Sequence, residues 1–388
     1  MPIPKIKTKT ALFLLFVIVI TGGMVVKLTA SPAIPVIVDK NVQLLYENKG
    51  NLKGKFIFSL RTYRPIEKLD PKMKSYLVTL SDEGKILFNS ASTSGWDEKF
   101  FKYNFSPLDK NTFAYFGGTF DDAISNRASV YFMNKNYEEI LSVTAPKNEP
   151  DLDGQDIYKS ADGHIFYLFE KRNVSGRIFD NEIQERDVNG NIIFSWNAQK
   201  SFAESFKDQV LDESEPFQLN SISVDKDKNI VASLKRLHQI IKIQYPTGKI
   251  LWRIRHEDWT FKNDSLGGYK QQHNVHLLPN GNLLMFDIGD RSTRPSRAIE
   301  YKIDTENKIL DTVWEYRLTG ALAMRESEGS VQRLSNGNTL IGWGRPNNNK
   351  TNLSDTIFTE VTPNGKMARE LKTNSPVVAY RVYFEEEI

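Results

Sequence analysis

The sequence predicts an all-β fold, a six-bladed β-propeller preceded by an N-terminal signal or anchor helix. Three observations predict it. Helix-period patterns are scarce after the first thirty residues. Turn signals of the Asn-Gly and Asp-Gly kind alternate with short runs of β-forming residues. The turns also recur at a long period, with aligned positions at Asn111, His164, Asn229, Asn282 and Asn338, separated by 53, 65, 53 and 56 residues.

Met1 to Thr10 carries Lys5, Lys7 and Lys9 and no acid, and Ala11 to Val26 is apolar apart from Thr21 and the pair Gly22-Gly23. A positive segment followed by a hydrophobic one has the form of a secretory signal. Its sixteen apolar-segment residues are near the lower limit for a membrane-spanning helix. The positive-inside rule keeps the lysines in the cytoplasm and sends the chain after Lys27 across the membrane. Ser31-Pro32-Ala33 offers small residues for cleavage with a proline between them, so cleaved signal and retained anchor both stay open. Residues 1–30 are therefore a signal peptide or membrane anchor. The protein is expected outside the cytoplasm, periplasmic or at the cell surface, attached to the inner membrane through residues 11–26 if uncleaved.

Residues 31–70 fit no repeat and are punctuated by Pro32, Pro35 and Pro65. They are expected to form a tether or a small strand-rich cap. Residues 71–388 are the propeller. Its tight turns include Asp82-Glu83-Gly84, Asp162-Gly163, Asn189-Gly190, Asn280-Gly281, Asn336-Gly337 and Asn364-Gly365. These pairs accept positive φ at both central turn positions. Strands such as Ile192-Ile193-Phe194, Leu283-Leu284-Met285-Phe286 and Thr339-Leu340-Ile341 follow them. Two hairpins per unit make a four-stranded blade, and blades stack in a ring because each has two flat faces to bury. Ser75–Leu80 and Val377–Phe384 are candidates for the pairing that closes the ring. A β-sandwich with a second domain would fit the strand content but not the spacing.

With 51 Lys+Arg against 48 Asp+Glu, the net charge of +3 gives no support for nucleic-acid binding. The chain has no cysteine, which excludes disulfides, thiolate metal sites and a cysteine nucleophile. No GxGxxG, Walker loop or GxSxG elbow is present, so a nucleotide or nicotinamide cofactor is not supported. No metal is expected either, because His273 and His276, at i and i+3 on a regular strand, would point to opposite faces.

A propeller places function where its loops and inner strands meet the central channel. Of the five histidines, His164 falls in a hairpin turn, His238 and His276 fall in strand-like stretches, and His256 in a loop. His273 stands on a loop leading into an inner strand, and Arg297 opens a strand later in the same unit. A histidine with arginines suits an anionic group, because the guanidinium fork matches sulfate, phosphate or carboxylate.

The stretch Gln272-His273-Asn274-Val275-His276-Leu277-Leu278-Pro279-Asn280-Gly281-Asn282, followed by Ser296-Arg297-Ala298-Ile299-Glu300-Tyr301, resembles the bacterial arylsulfotransferase family. So do Leu219-Asn220-Ser221-Ile222, Glu328-Gly329-Ser330-Val331-Gln332-Arg333 with Gly342-Trp343-Gly344, and Ala379-Tyr380-Arg381. The resemblance spans roughly residues 70–384. It implies an exported six-bladed propeller that moves a sulfuryl group between phenols through a covalent sulfohistidine, without a nucleotide donor. It implies catalytic roles for His273 and Arg297, and substrate binding by Gln218, Asn220, Tyr380 and Arg381, with a small aromatic or sulfated compound as partner. Two positions depart from the pattern. The family's nucleophilic histidine precedes Tyr-Arg, where this chain has Ala379, and a second channel histidine is replaced by Gln218. The alternative expectation is a catalytically degenerate, membrane-anchored propeller that binds an anionic or aromatic ligand or an envelope partner.

Overall fold

Six antiparallel blades, with a two-stranded ribbon of Arg325–Ser327 and Arg345–Pro346 beside them, make up the computed structural model, which describes residues 33–387 apart from 40–41, 63–72, 95–99, 120–127, 147–148, 204–214, 291–292 and 348–354. From the axis outward, blade 1 is Val377–Glu386, Gly54–Thr62, Met73–Ser81 and Ile86–Ser94. Blade 2 is Phe100–Asp109, Thr112–Thr119, Ala128–Asn134 and Glu139–Thr144, and blade 3 is Asp151–Lys159, Ile165–Arg172, Ile178–Arg186 and Ile192–Asn197. Blade 4 is Leu219–Val224, Ile230–Leu234, Gln239–Ile243 and Ile250–Ile254. Blade 5 is His273–Leu277, Leu283–Asp287, Arg297–Asp304 and Ile309–Tyr316, with Thr260–Lys262 added in parallel at its outer edge. Blade 6 is Ser330–Arg333, Thr339–Gly342, Asp355–Val361 and Met367–Thr373. The all-β, six-bladed propeller expected from the spacing is the observed fold.

Each blade interface holds its own apolar cluster, which is how flat sheets with two apolar faces become stable. Between blades 6 and 1, for example, the Phe56 and Phe358 rings stack at 4.4 Å beside Tyr46, Phe58 and Phe384. Helix is reduced to two short turns among the described residues, Ala198–Ser201, capped by the Asn197 side chain, and Gly320–Ala323.

The ring closes with Val377–Glu386 against Gly54–Thr62, Val377 opposite Thr62 and Glu386 opposite Gly54. The C-terminal partner was expected, but Ser75–Leu80 lies one strand further out, pairing with Gly54–Thr62. The described part of the 31–70 stretch therefore belongs to the sheets. Ile34–Asp39 and Val42–Asn48 form a hairpin on the outer edge of blade 6, through Leu44–Asn48 opposite Arg369–Thr373.

The tight turns fall where expected, with a different backbone. In Leu278-Pro279-Asn280-Gly281-Asn282 the Gly281 amide donates to Leu278 O and the Leu278 amide to Asn282 O. Only Gly281 has positive φ, at 85°, and Gly163, Gly190 and Gly337 match it at 88°, 85° and 84°. This is a type I turn closed by one left-handed residue, a form that suits Pro279 at its second position. The residue before each glycine, Asp162, Asn189, Asn280 or Asn336, does not take positive φ.

The apolar segment 11–26, expected as a signal or anchor, lies outside the described residues. Among the described residues no helix is long and apolar enough to cross a membrane.

Candidate functional site

The inner strands are irregular at one level, and this irregularity builds the site. On blade 1, Ala379 pairs with Leu60 and Val382 with Phe58, which leaves one extra residue at Tyr380-Arg381. Blade 2 bulges at Asn104-Phe105, blade 3 at Gly154-Gln155-Asp156, and blade 4 at Asn220. On blade 5, His273 pairs with Phe286 and His276 with Leu284. A bulge turns side chains that a regular strand would aim elsewhere. Asn104 and Asn274, both at φ 49°, take the left-handed conformation that asparagine tolerates best after glycine.

The bulged residues tie the blades together around the axis. Asn104 Nδ2 donates to Gly154 O (3.1 Å), and the Ile222 amide donates to Asp156 Oδ2 (2.9 Å). Asn220 Nδ2 donates to Gln272 O (2.8 Å), and the Val331 amide to Asn274 Oδ1 (2.9 Å). The Val382 amide donates to Ser330 Oγ (2.9 Å), and Ser106 Oγ lies 3.2 Å from the Tyr383 hydroxyl. Every pair of neighbouring blades is thus joined by at least one side chain.

Blade 1 then fills the axis. Arg381 Nη1 donates to Asp156 Oδ1 of blade 3 at 2.5 Å, and Nη2 to Asn220 O of blade 4 at 2.8 Å. The Tyr380 hydroxyl donates to Gln155 Oε1 at 2.6 Å, and its ring meets Tyr103 at 6.0 Å and His273 at 5.7 Å, both edge-on. Burial pushes the Tyr380 hydroxyl well above its usual range, so it remains a donor.

His273 is 2% exposed, and its Nδ1 lies 2.7 Å from Gly329 O. A carbonyl oxygen only accepts, so Nδ1 carries the proton and Nε2 keeps its lone pair. Burial holds the imidazole well below its usual pKa, and the positive charges of Arg381 and Lys235 add to this. His273 is therefore neutral at physiological pH with a fixed tautomer. His276 is half-buried, and burial pushes it down to about 4, with Asp156 opposing and Arg381 assisting.

Four buried side-chain atoms here have no hydrogen-bond partner: Arg381 Nε, Asn274 Nδ2, Asn220 Oδ1 and Glu328 Oε2. Two are donors, the kind of group an oxyanion requires: one is on Asn274, next in sequence to His273, and one is on Arg381, whose charge acts on the imidazole. Glu328 Oε1 is paired with Arg61 Nη2, from the second strand of blade 1. On the blade 3 side, burial and then Glu170 raise the Asp153 carboxyl well above its usual range. Burial and then Glu215 raise Glu170 to about 7.

The sequence-derived candidates divide. His273, Asn220, Tyr380 and Arg381 come together around the axis. Gln218 sits just ahead of the blade 4 inner strand at φ 47°, its carbonyl accepting from the Lys235 amide at 3.0 Å. Arg297 is elsewhere, on the third strand of blade 5, fully buried and engaged at every nitrogen. Nε donates to Asp287 (3.0 Å), Nη1 to Asp264 (2.8 Å) and Glu315 (2.7 Å), and Nη2 to Asp264 (2.9 Å) and Gly268 O (2.6 Å). Those bonds leave its guanidinium no donor for a sulfate. His276, Asp156, Arg61 and Glu328 were missed. The alternation argument put His276 opposite His273, but their partners Phe286 and Leu284 are two apart on one strand, so the bulge restores them to one face. Arg61 fell in the stretch expected to be a tether or a small strand-rich cap. No local pattern marks either.

At the other end of blade 3, Asp162, His164 and Glu185 place ligand-type atoms within 4.8 Å of one another. His164 Nδ1 lies 2.9 Å from Glu185 Oε1. Asp162 is already neutralised by Lys228 Nζ at 2.5 Å.

The family described as Arylsulfotransferase (ASST) matches residues 148–381. No curated protein gives a significant match. Among solved structures, a protein of unknown function from Bacteroides caccae aligns with a TM-score of 0.55 at 11% identity, covering 87% of this chain and 100% of that one. A periplasmic gluconolactonase from Pseudomonas aeruginosa aligns at 0.45 and 11%, over 86% of this chain and 99% of its own. A catalytically inactive virginiamycin B lyase from Staphylococcus aureus aligns at 0.42 and 11%, again over 86% and 99%. The first likeness shows the fold alone.

Proposed function

Because the chain belongs to the arylsulfotransferase family, we propose that it transfers a sulfuryl group from an aryl sulfate to a phenol with His273 as the nucleophile. Nε2 attacks sulfur, the sulfur–aryl oxygen bond breaks, and the first aryl oxide leaves. The acceptor phenol gives its proton to the departed aryl oxide through solvent and attacks sulfur, and the Nε2–sulfur bond breaks. The imidazole is regenerated. The observation that carries this reading is the Nδ1–H bond from His273 to Gly329 O in a buried, uncharged ring. It leaves a lone pair on Nε2, and the unpartnered donors Arg381 Nε and Asn274 Nδ2 suit sulfuryl oxygens.

Ala379 favours a second reading. It occupies the position of the family's nucleophilic histidine, and its methyl group is buried in the apolar cluster between blades 6 and 1. In that reading the propeller binds an anionic or aromatic ligand, or an envelope partner, without turning it over. In both readings the protein works outside the cytoplasm, supported by the lysines and apolar run of residues 5–26.

The test is release of 4-nitrophenol from 4-nitrophenyl sulfate with a phenol acceptor, followed by acid quench and peptide mapping for a sulfated histidine. The first reading expects label on His273 and a loss of roughly 10⁴-fold or more in His273→Ala. Tight binding with no release across a panel of aryl sulfates supports the second.

A further inference from the structure

We propose that Arg61 is the seat for the anionic group of the substrate, and that the Glu328 carboxylate occupies this seat until the substrate displaces it. The inference rests on the reading of the axis as a site for an aryl sulfate.

Consider first which cations are free to meet an anion. Arg381 is 1% exposed, with both terminal nitrogens held by Asp156 and Asn220. Arg297 is fully buried, its donors taken by Asp264, Asp287, Glu315 and Gly268 O. Arg61 is different. Its side chain is 30% exposed while that of Glu328 is 7% exposed, so part of the Arg61 side chain meets solvent and the Glu328 side chain lies beneath it. Among the described residues, Glu328 is its one hydrogen-bond partner. A carboxylate on a guanidinium fork has the charge and the oxygen spacing of a sulfate edge.

Glu328 pays for this position. It is not glycine, yet it stands at φ 69°, a conformation that costs energy outside glycine. Its Oε2 is buried without a partner. A buried carboxylate satisfied on one oxygen only is held by its cation, and an anion competing for that cation releases it.

The seat is also wired to the nucleophile. The residue after Glu328 is Gly329, whose carbonyl fixes the His273 tautomer and whose amide donates to Tyr380 O at 3.2 Å. Movement of Glu328 therefore moves the group that orients the imidazole. The charge of Arg61 acts on the Tyr380 and Tyr103 hydroxyls; these two rings pack edge-on against each other, and Tyr380 packs edge-on against His273. An anion seat bordered by aromatic rings fits an aryl sulfate better than a bare inorganic anion.

Calorimetric titration of the full chain with 4-nitrophenyl sulfate, inorganic sulfate and 4-nitrophenol tests this. Glu328→Gln is expected to bind 4-nitrophenyl sulfate about tenfold more tightly than the wild type, and Arg61→Gln at least about tenfold more weakly. Neither change should move 4-nitrophenol by more than about twofold, and the ester should bind more tightly than inorganic sulfate. Arg61→Lys, which keeps the charge and loses the fork, should fall between, and it serves if Arg61→Gln does not fold. Arg61 variants that bind the ester like wild type, or a Glu328→Gln variant that binds it no more tightly, overturn the proposal. Failure of sulfuryl transfer alone looks different: the variants then order as expected, and no 4-nitrophenol is released by any of them.

Discussion

Arg381 of blade 1 reaches past blade 2 to Asp156 of blade 3, with Nη1 2.5 Å from Oδ1 and both side chains almost wholly buried. The pair braces the ring across its axis, where neighbour-to-neighbour bonds cannot. Removing one partner strands the other as a buried charge. Arg381→Met is expected to cost about 3–5 kcal/mol, and Asp156→Asn in the same chain to restore part of it. Urea unfolding at pH 7.5 measures both. A loss under about 1 kcal/mol would mean that water screens the pair.

The blade count was legible because turn spacing reports sheet repeats directly, and the Gly281, Gly337 and Gly365 turns each close a hairpin. Blade 1 was half legible. Its inner and second strands come from opposite ends of the chain, and no local signal links Val377 to Thr62. His273 was found because it stands at the start of an inner strand. His276 was lost because a period-two argument fails across a bulge, and bulges leave no mark in the residues themselves. Arg297 was placed in the site because a lone arginine in a sequence hides its partners. Asp264, Asp287 and Glu315 meet it only in the folded sheet.

That ion cluster gives a second prediction. Arg297→Met leaves three carboxylates without their common cation, so stability should fall by about 3–5 kcal/mol. Arg297→Lys should restore little of it, since a single ammonium cannot replace a fork donating to three acids. The affinity of the folded fraction for 4-nitrophenyl sulfate should stay within about twofold of wild type. A selective loss of affinity in a stably folded Arg297→Lys protein would return this arginine to the binding site.

His276 makes stability depend on pH with a definite sign. Folding holds it neutral down to about 4, while the unfolded chain takes the proton near 6.5. Below 6.5 the unfolded state binds more protons, so stability falls as pH drops and levels off near 4. The loss amounts to roughly 3 kcal/mol at about 1.4 kcal/mol per pKa unit. His276→Gln should flatten part of this slope in urea titrations between pH 7 and pH 4, leaving the share that His273 contributes in the same direction. An unchanged slope would show that His276 is solvated in the folded protein.

Glu170 acts with the opposite sign. Burial and the neighbouring Glu215 keep it protonated in the folded state up to about 7, although Arg172 Nη2 donates to its Oε2 at 2.6 Å. Its contribution is present below the usual 4.5 and is lost as pH rises toward 7. Glu170→Gln should therefore stabilise the protein at pH 8 and have little effect at pH 5. Equal effects at both pH values would place the charge on Arg172 and not on a proton.

The nucleophile itself supplies the last test. An ordinary imidazole with a pKa near 6.5 would lose about nine tenths of its nucleophilic form by pH 5.5. Burial and the charge of Arg381 keep His273 well below that value, so its Nε2 lone pair survives acidification. The kcat/KM for 4-nitrophenyl sulfate should then stay flat from pH 8 to pH 5.5, read by alkaline quench so that nitrophenol absorbance is independent of assay pH. Arg381→Met removes one cause of the depression and should bring an acidic limb into that range if the variant folds. His276→Gln should leave the wild-type profile flat, because the proton that matters is on the ring bonded to Gly329 O. A limb near pH 6.5 in the wild type that disappears in His276→Gln would transfer the titrating role from His273 to its neighbour on the same face of the strand.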